Sequence, residues 1–600
     1  MDYSELANLY EKVEQTSKRL EKTFLVSKLL KHTNIDELAM ILLLIQGKIF
    51  PPWDERKLGI STKLVIKSIN KSTGIPSNEI ENQWRILGDL GKTAAELVEH
   101  KKQVTLFQQK NTVKKVFDNL RKLPTLEGSG SVDRKIGLIS ELLTSASPKE
   151  ATFIVRNVLE DLRVGIGEGV LRDAITWTYF ENEIKANYDP ETKAITPDNR
   201  EEYNKYVGAV QEAFDITNDF SKVAKIAKEQ GIEGLKNIQL IPKNPIKVML
   251  YQKAKDIEDA FERVGRPAAI EFKYDGFRMQ IHKSLSSDTT ESKITIFTRR
   301  LEDVTPQFPE VKEYVKENIT ADQFIIDCEA VGFNSDISTQ NPEKIEYLPF
   351  QKVSQRIKRK YDIQKMAKEF PIELNIFDII SYDGANLTKE HFTKRREILE
   401  KITNQIPKKI VLSKKIITDN NQVAQEFYDS ALKQGQEGVM FKNLDGIYKP
   451  GSRVGFGVKV KPVMESLDLV IVGAEWGTGK RSGWLTSFTL ACIDPDTGDF
   501  LEMGKVGTGI KELKEEGISF NEITELLKPH IIQEKGRDVK IKPVVIIEVN
   551  YEEIQKSINY NSGFALRFPR FTRLRDERGA NEISSIEDIE ELFHSQRSRG

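Results

Sequence analysis

A lysine near the middle of the chain stands in a setting that could make it a nucleophile. The segment Glu271–His282 reads Glu-Phe-Lys-Tyr-Asp-Gly-Phe-Arg-Met-Gln-Ile-His. This pattern predicts a strand that ends at Phe272, a tight Asp-Gly turn and a second strand with alternating apolar residues. Lys273 would lie at the edge of this hairpin, with Arg278 beside it. A lysine nucleophile needs a lowered pKa, which nearby cations or desolvation provide. The alternative is a surface hairpin with an exposed lysine.

Basic residues without acidic neighbours form a second candidate site. Between Lys449 and Lys461 there are four basic residues and no acid. Lys459 and Lys461 share one face of a predicted strand, and Arg453 lies in the loop before it. Such a cluster could neutralise charge on a transferring phosphoryl group. The alternative is a solvated edge strand whose lysines discourage aggregation.

A third basic stretch lies near the C-terminus. Between Lys556 and Arg575 there are five basic residues and no acid, with three phenylalanines among them. Such a stripe could grip a nucleic-acid backbone or orient pyrophosphate. The whole chain is nearly neutral, with 90 Lys and Arg against 91 Asp and Glu in 600 residues. This balance excludes a uniformly basic nucleic-acid coat protein, but it leaves room for binding by local clusters.

The elements that must position these groups fall into three parts. Apolar residues at three- and four-residue spacing predict a helical first part, as in Leu20–Leu30, Leu38–Ile45 and Ala94–Leu106. From about Leu240, β-branched or aromatic runs between helical stretches predict an α/β or α+β domain, with strands over Ala268–Phe272, Ile294–Thr298, Phe324–Phe333 and Leu374–Ile380. After Glu465, short strands with glycine turns and a helix-like stretch over Lys511–Lys528 predict a small β-barrel. The predicted domains are 1–235, 236–463 and 464–600.

Composition also indicates the compartment. Two cysteines far apart in sequence, Cys328 and Cys492, exclude a disulfide scaffold and a cysteine-rich zinc site. The longest apolar run, Leu38–Ile45, is far shorter than the roughly 20 residues that cross a bilayer. The first residues lack the basic-then-apolar pattern of a signal peptide. We therefore expect an intracellular soluble protein, cytoplasmic and without a membrane partner.

The order of several short segments is more specific than any one of them. The lysine segment is followed by five others, namely Phe297–Asp303, Phe324–Val331, Asn375–Asp378, Glu437–Lys442 and Val458–Pro462. In this order they resemble the nucleotidyltransferase motifs of the ATP-dependent DNA ligases. Later segments resemble ligase motifs of the barrel domain, namely Asp468–Gly473, Gly479–Arg481 and Leu566–Arg573. Gly128–Ser131 and Leu162–Gly165 are similar to the DNA-binding domain of the archaeal and eukaryotic replicative ligases.

This resemblance covers nearly the whole chain and implies a multidomain fold. It comprises an all-α DNA-binding domain, an α+β nucleotidyltransferase (adenylation) domain and a β-barrel OB-fold domain. It also implies that ATP is the adenylating substrate and Mg²⁺ the metal. Glu329 and Glu437 match the family's metal-binding positions. A site with two carboxylates supplies only oxygen ligands, which suits Mg²⁺. Asp327, which shares a strand face with Glu329, could be a supporting partner.

The resemblance assigns further roles at the nucleotide. Lys273 matches the residue that attacks the α-phosphate of ATP and carries AMP as a phosphoramidate. Glu271 would accept a hydrogen bond from the adenine amino group, and Phe377 would stack on the ring, unless it is an ordinary core aromatic. The remaining positions match contacts to ribose and phosphate, namely Arg278, Arg299, Glu329, Arg453, Lys459 and Lys461. The roles of the C-terminal arginines are left open, namely those of Arg567, Arg570, Arg573 and Arg575.

The resemblance therefore implies an enzyme that seals nicks in duplex DNA during replication, repair and recombination. An RNA ligase or an mRNA-capping guanylyltransferase is the nearest alternative, and Glu271 and the long helical N-terminal part argue against it. The second alternative is a non-catalytic scaffold that binds nucleic acid. The intact motif set from Lys273 to Lys461 argues against this alternative. The expected partner is nicked double-stranded DNA, bound by a monomer that is nucleoid-associated in a prokaryote. Gln103–Phe107 resembles a degenerate sliding-clamp-binding box, although an ordinary amphipathic helix is slightly favoured there.

Overall fold

The computed structural model describes the chain except for residues 52–53, 55, 101–108, 241–243, 286–291, 335–344, 349, 358, 360, 453–455, 463–465 and 596–600. The chain forms two compact units, one of residues 1–65 and 106–461 and one of residues 66–105 and 462–600. The predicted clamp-binding segment Gln103–Phe107 and Arg453 lie outside the described residues. The predicted domain limits at residues 235 and 463 stay a prediction.

The first 236 residues are mostly helical, as their apolar spacing predicts. The helices are α1 Tyr3–Glu14, α2 Arg19–His32, α3 Ile35–Ile45, α4 Thr62–Thr73, α5 Ser77–Leu87, α6 Leu90–Glu99, α7 Val113–Lys122, α8 Ser131–Thr144, α9 Pro148–Val158, α10 Glu168–Tyr179, α11 Glu181–Ile184, α12 Arg200–Thr217 and α13 Phe220–Lys236. Helix α9 begins where Ser147 and Glu150 form a capping box and proline occupies the first turn. A hairpin of β1 Ala186–Asp189 and β2 Ala194–Pro197 interrupts this part, and the helical spacing did not predict it.

The rest of the first unit is built on two sheets. Its strands are β3 Met249–Leu250, β4 Gln252–Lys253, β5 Ala268–Lys273, β6 Phe277–Leu285, β7 Ser292–Thr298, β8 Phe324–Gly332, β9 Ile372–Tyr382, β10 Ala385–Asn386, β11 Ile410–Leu412, β12 Lys415–Thr418, β13 Gly438–Asn443, β14 Gly451–Ser452 and β15 Gly457–Val460. One sheet has the order β12-β5-β13-β15-β4, and the other has the order β10-β9-β8-β6-β7 with β11 beside β9. Strands β3 and β14 pair separately.

Helices cover the apolar faces of these sheets. They are α14 Ile257–Val264, α15 Pro309–Asn318, α16 Phe350–Ile357, α17 Ile363–Glu369, α18 Phe392–Ile402 and α19 Asn421–Lys433. Along β5, Ile270 and Phe272 enter an apolar cluster with α14, so Glu271 and Lys273 lie on the opposite face. Along β6, Phe277 and the alternate residues that follow it enter a second cluster with α15. Each sheet thus has one apolar face and one face with polar groups.

The predicted hairpin around Lys273 is wrong. Strands β5 and β6 do not pair; they belong to the two different sheets. The chain crosses between the sheets at Tyr274–Gly276, where the Asp275 N–H donates to the Gln436 side chain and Tyr274 is buried. The Phe377 ring of β9 lies 5.0 Å from Lys442 Nζ of β13, so the polar faces of the two sheets are turned toward each other. Lys273 therefore lies at a cleft between two sheets, and not at the edge of a two-stranded hairpin as the sequence pattern predicted.

The second unit contains helices α5 and α6 together with a seven-stranded sheet. Its further elements are β16 Leu467–Trp476, β17 Leu485–Ile493, β18 Phe500–Val506, α20 Phe520–Leu527, β19 Ile531–Lys535, β20 Asp538–Ile541, β21 Ile546–Asn550, β22 Glu553–Lys556, β23 Phe564–Arg567, β24 Arg570–Leu574 and α21 Ile586–Ser595. The sheet has the order β18-β17-β16-β20-β19, with β21 between β16 and β24. Within the predicted helix-like stretch Lys511–Lys528, the helix begins only after Ser519, which caps it with Glu522. The OB-fold barrel stays a prediction.

Within the part of the chain that the structure describes, none of the helices combines the length and the apolar character that crossing a membrane requires.

A buried ion pair ties helix α18 to strand β9. Arg395 donates two hydrogen bonds to the Asp378 carboxylate, at 2.7 and 3.0 Å, and both side chains are almost fully buried. Burial alone would raise the pKa of Asp378, but the Arg395 charge and its hydrogen bonds hold it below the usual value. The pair therefore holds α18 against the sheet with its charges compensated.

We expect Asp378→Asn to destabilise the first unit by about 3 kcal/mol, because it leaves the buried Arg395 charge without a counterion. Urea unfolding of the full chain, followed by circular dichroism, measures the change. Asp118→Asn is the matched control, since it breaks the exposed ion pair of Asp118 with Lys114 on α7 and should cost less than about 1 kcal/mol. Equal shifts for the two variants would contradict the expectation.

Candidate active site

Lys273 and Glu437 meet because strands β5 and β13 pair in one register. Lys273 lies opposite Gly438, so the preceding Glu437 reaches the lysine with its carboxylate 2.5 Å from Nζ. The Glu437 N–H also donates to the Lys273 carbonyl at 2.9 Å. Gly438 adopts φ +143°, and a Cβ there would stand 2.2 Å from the Val460 carbonyl oxygen. Glycine is therefore required at this position, where β13 approaches the end of β15.

Glu271 lies two residues before Lys273 on the same face and is bound by two cations. Its Oε1 accepts from Arg396 at 3.0 Å and its Oε2 from Lys442 at 2.5 Å. All three side chains are at most 5% exposed. Lys442 belongs to one of the predicted motif segments, but no role was predicted for it or for Arg396. The approach of Arg396 follows from the packing of α18, which no local pattern encodes.

Arg278 faces the cleft from the six-stranded sheet, held by a buried network. Its Nη2 donates to Asp327 at 2.5 Å, and its Nη1 donates to the Met249 carbonyl at 2.6 Å. The Tyr448 hydroxyl donates to the same Asp327 oxygen at 2.7 Å. Burial opposes the charge of Arg278, but Asp327 and Tyr448 raise its pKa above the usual value. Asp327 thus supports Arg278, a role that the sequence suggested only in general terms, and Tyr448 was missed.

Phe377 lies near one cation from each of the two sheets. Its ring centroid is 5.2 Å from the Arg278 guanidinium and 5.0 Å from Lys442 Nζ. The ring is only partly buried, whereas its neighbours Ile376 and Asp378 are buried. A partly exposed aromatic face held by cations is suited to stacking on a planar ring.

Glu329 faces the same cleft from β8, opposite Arg278 across the β6–β8 pairing. Burial raises the pKa of Glu329 to about 8, partly offset by the charges of Lys273 and Arg278 and reinforced by Glu437 and Asp275. The carboxylates of Glu329 and Glu437 therefore repel each other electrostatically, which is the arrangement a bound cation relieves. Gly276 permits this packing, since a Cβ there would stand 2.4 Å from the Ala330 carbonyl oxygen.

The remaining described residues that were predicted to contact ribose or phosphate are Lys459, Lys461 and Arg299. Lys459 of β15 lies opposite Met440 of β13 and so shares the cleft face of the five-stranded sheet. Lys461 follows directly, and its Cα would stand 3.1 Å from a Cβ at Gly438. Arg299 lies in the exposed turn after β7, where no acidic side chain among the described residues pairs with it. The structure thus places Lys459 on the cleft face, Lys461 beside Gly438 and Arg299 in an exposed turn.

The C-terminal basic stretch has acidic partners from neighbouring strands. Arg567 pairs with Glu553 at 3.2 Å, and Arg573 and Arg575 both pair with Glu548, at 2.7 and 3.0 Å. These acids lie outside the acid-free stretch, so the local count overstated its positive charge. Antiparallel pairing of β22 with β23 and of β21 with β24 places them there.

The raised pKa of Glu329 predicts how stability depends on pH without nucleotide or metal. Between the ordinary value of 4.5 and about 8, the folded protein keeps a proton that the unfolded chain releases. The contribution of Glu329 to the free energy of unfolding should therefore fall as pH rises through this window, by at most about 1.4 kcal/mol per pH unit. We expect Glu329→Gln to flatten this fall, measured by urea unfolding at several pH values with a chelator present. The exposed substitution Glu426→Gln should keep the wild-type slope, and a wild-type slope in Glu329→Gln would contradict the prediction.

Comparisons with known proteins agree with this geometry. Residues 248–461 match the model of the ATP dependent DNA ligase domain, residues 2–176 that of the DNA ligase N terminus, and residues 481–578 that of the ATP dependent DNA ligase C terminal region.

Full-length relatives extend the match. The chain is 47% identical over 599 residues to the DNA ligase of Nanoarchaeum equitans (strain Kin4-M), covering 100% of this chain and 99% of that protein. It is 40% identical over 596 residues to the DNA ligase of Thermococcus fumicolans, covering 99% of each. The solved structure Pmar-Lig_PreS3 is similar in fold alone, with a TM-score of 0.55, 17% identity and coverage of 95% of this chain and 99% of that one. The chain therefore belongs to the ATP-dependent DNA ligases, and its relatives are of the archaeal type.

Proposed function

We propose that the cleft between the two sheets of the first unit is the adenylation site of this ligase and that Lys273 is its nucleophile. The protein is an ATP-dependent DNA ligase that seals nicks in duplex DNA. The ion pair of Lys273 with Glu437, facing Arg278 and Glu329, is the observation that supports the site most directly. The segment matches alone could not show that these groups meet.

Lys273 must be a neutral amine before it attacks. The Glu437 carboxylate, 2.5 Å from Nζ, is placed to accept the proton. Nζ then forms a bond to the α-phosphorus of ATP, the bond to the β-phosphate oxygen breaks, and pyrophosphate leaves. A 5′-phosphate oxygen at the nick next attacks that phosphorus and frees Nζ. The 3′-hydroxyl finally attacks the activated 5′-phosphate, losing its proton as AMP leaves and the phosphodiester forms.

The other cleft residues position the nucleotide in this proposal. Glu271 accepts from the adenine amino group, and Phe377 stacks on the ring. Arg278 contacts ribose or phosphate, and its planar guanidinium suits bidentate binding. Lys459 and Lys461 face the α-phosphate and stabilise the charge that develops there. Arg299 and Arg453 are proposed as further contacts to the nucleotide.

Mg²⁺ is proposed as the metal. No trio of His, Cys, Asp or Glu side chains set to hold a metal ion is found among the described residues. Mg²⁺ commonly takes only one or two carboxylates, the rest of its ligands being water and substrate phosphates, so Glu329 and Glu437 fit. When bound, the ion neutralises negative charge on the transferring phosphate.

The proposal extends to the biological setting. The substrate is nicked duplex DNA, bound mainly through its phosphates with little base readout. Roles in replication, repair and recombination, action as a monomer and a clamp-binding segment at Gln103–Phe107 are proposed on the family resemblance. DNA ligase relatives that match the full chain favour this function over RNA ligation or mRNA capping.

Labelled adduct formation tests the nucleophile. With Mg²⁺ and α-labelled ATP, the wild type should form a covalent AMP adduct that disappears when nicked duplex is added, and Lys273→Ala should form none. Lys505→Ala is the matched control, because Lys505 also pairs with a glutamate at 2.5 Å but lies on β18 of the second unit. An adduct in Lys273→Ala would disprove the assignment, and an adduct formed preferentially from GTP would favour capping.

A Mg²⁺ titration tests the carboxylates. We expect Glu437→Gln to slow adduct formation by about ten-fold or more and to raise the Mg²⁺ concentration at half-maximal rate, because a metal ligand and a proton acceptor are both lost. Glu475→Gln is the control, since Glu475 also pairs with a lysine at 2.5 Å and is likewise 30% exposed, but lies on β16 of the second unit. An unchanged Mg²⁺ dependence in Glu437→Gln would rule Glu437 out as a ligand.

A further inference from the structure

The cationic surroundings of Glu271 contain more than is needed to balance one charge. Arg396 and Lys442 each bind one oxygen of this carboxylate, and their side chains are only 5% and 3% exposed. Arg396 also pairs with Glu400, but the Glu400 side chain is 47% exposed, so Glu271 is the buried partner of both cations. Two buried cations on one carboxylate restrict its orientation more than one partner would.

Arg396 is held firmly in place. Its Nη2 donates to the Ser413 carbonyl at 2.7 Å, and its Nε donates to Glu400 at 3.2 Å. The adjacent Arg395 anchors the same helix to β9 through Asp378. The Arg396 guanidinium is therefore positioned by contacts other than Glu271, and it can hold the Glu271 carboxylate in one orientation.

Each oxygen of the Glu271 carboxylate is bound by one cation. An ionised carboxylate has about four acceptor sites and no donor, so acceptor sites remain free after Arg396 and Lys442 are bound. A protonated carboxyl group could also donate. At the six-position of a purine, adenine presents an amino donor and guanine a carbonyl acceptor. A carboxylate without a proton to donate can accept a hydrogen bond from the adenine amino group. Opposite the guanine carbonyl it leaves two acceptors facing each other without a hydrogen bond.

Lys442 links this pair to the ring-binding surface. Its Nζ is 5.0 Å from the Phe377 ring centroid and 3.3 Å from the Phe377 carbonyl oxygen, to which it donates. Glu271 and the proposed stacking ring are therefore joined through one cation. The orientation of the carboxylate and the plane of the base are set by the same cluster.

We propose that Arg396 is a positioning residue that sets the choice of ATP over GTP by holding Glu271 as a fixed, acceptor-only carboxylate. This inference rests on the proposed function, in which Glu271 contacts the adenine amino group. Arg396 does not touch the reacting atoms in this proposal. Replacing it should therefore change nucleotide binding and selectivity, and the rate of the chemical step should stay nearly the same.

Adduct formation with α-labelled ATP and α-labelled GTP tests the proposal. For Arg396→Met we expect the ATP-to-GTP ratio of kcat/KM to fall by about ten-fold or more, through a higher KM for ATP with kcat changed less than about two-fold. Arg396→Lys keeps the charge but cannot reach both Glu271 and the Ser413 carbonyl, so a fall of about three-fold is expected. Glu397→Gln changes an exposed residue on the same helix and should leave the ratio unchanged.

The outcomes separate the possibilities. If Arg396→Met keeps the wild-type ratio while Glu271→Gln lowers it, Arg396 is only structural and the proposal is overturned. If Glu271→Gln also keeps the ratio, Glu271 does not read the purine, and the proposal is again overturned while Lys273 remains the nucleophile. If the wild type forms no adduct, the proposed function itself fails. Should Arg396→Met not fold, as thermal unfolding would show, a wild-type ratio and KM in Arg396→Lys overturns the proposal.

Discussion

The antiparallel register of β5 and β13 is the constraint on which the site depends. It sets Lys273 opposite Gly438 and Glu271 opposite Met440, so both charged groups of β5 face the cleft. Because side chains alternate along a strand, a slip of one residue would turn them into the apolar cluster. The close approach at Gly438, where no Cβ fits, keeps the two strands and β15 together at the point where Glu437 reaches the lysine.

Charge compensation organises the remainder of the cleft. Arg278 is matched by Asp327, and Glu271 by Arg396 and Lys442, each within hydrogen-bonding distance and out of solvent. Such pairs are tolerated when their geometry and hydrogen bonds offset desolvation. Glu329 is the contrasting group, since burial raises its pKa to about 8. The cleft thus has compensated charges around Glu271, beside the proposed base position, and uncompensated negative charge around Glu329, at the proposed metal position.

Local patterns predicted the strands of this region well, because apolar alternation reports which face is buried. Strand β7 covers the predicted Ile294–Thr298, and β9 covers Leu374–Ile380. Pairing was predicted poorly, because it is non-local. The Asp-Gly turn suggested a hairpin, but Asp275 binds Gln436 and the chain passes to another sheet. The C-terminal arginines appeared unpaired for the same reason, as their acidic partners lie on strands distant in sequence.

Lys273, Glu437, Glu271 and Arg278 were predicted as site residues from the sequence, because the order of motifs can be read without knowledge of the fold. Arg396 and Tyr448 were not, since neither has a spacing signal and both act through helix packing or long-range contact. The sequence by itself determined the chemical types available, the family and which residues alternate toward a core. Only the tertiary structure decided which charges meet, because strand pairing and helix packing bring together groups more than a hundred residues apart in sequence.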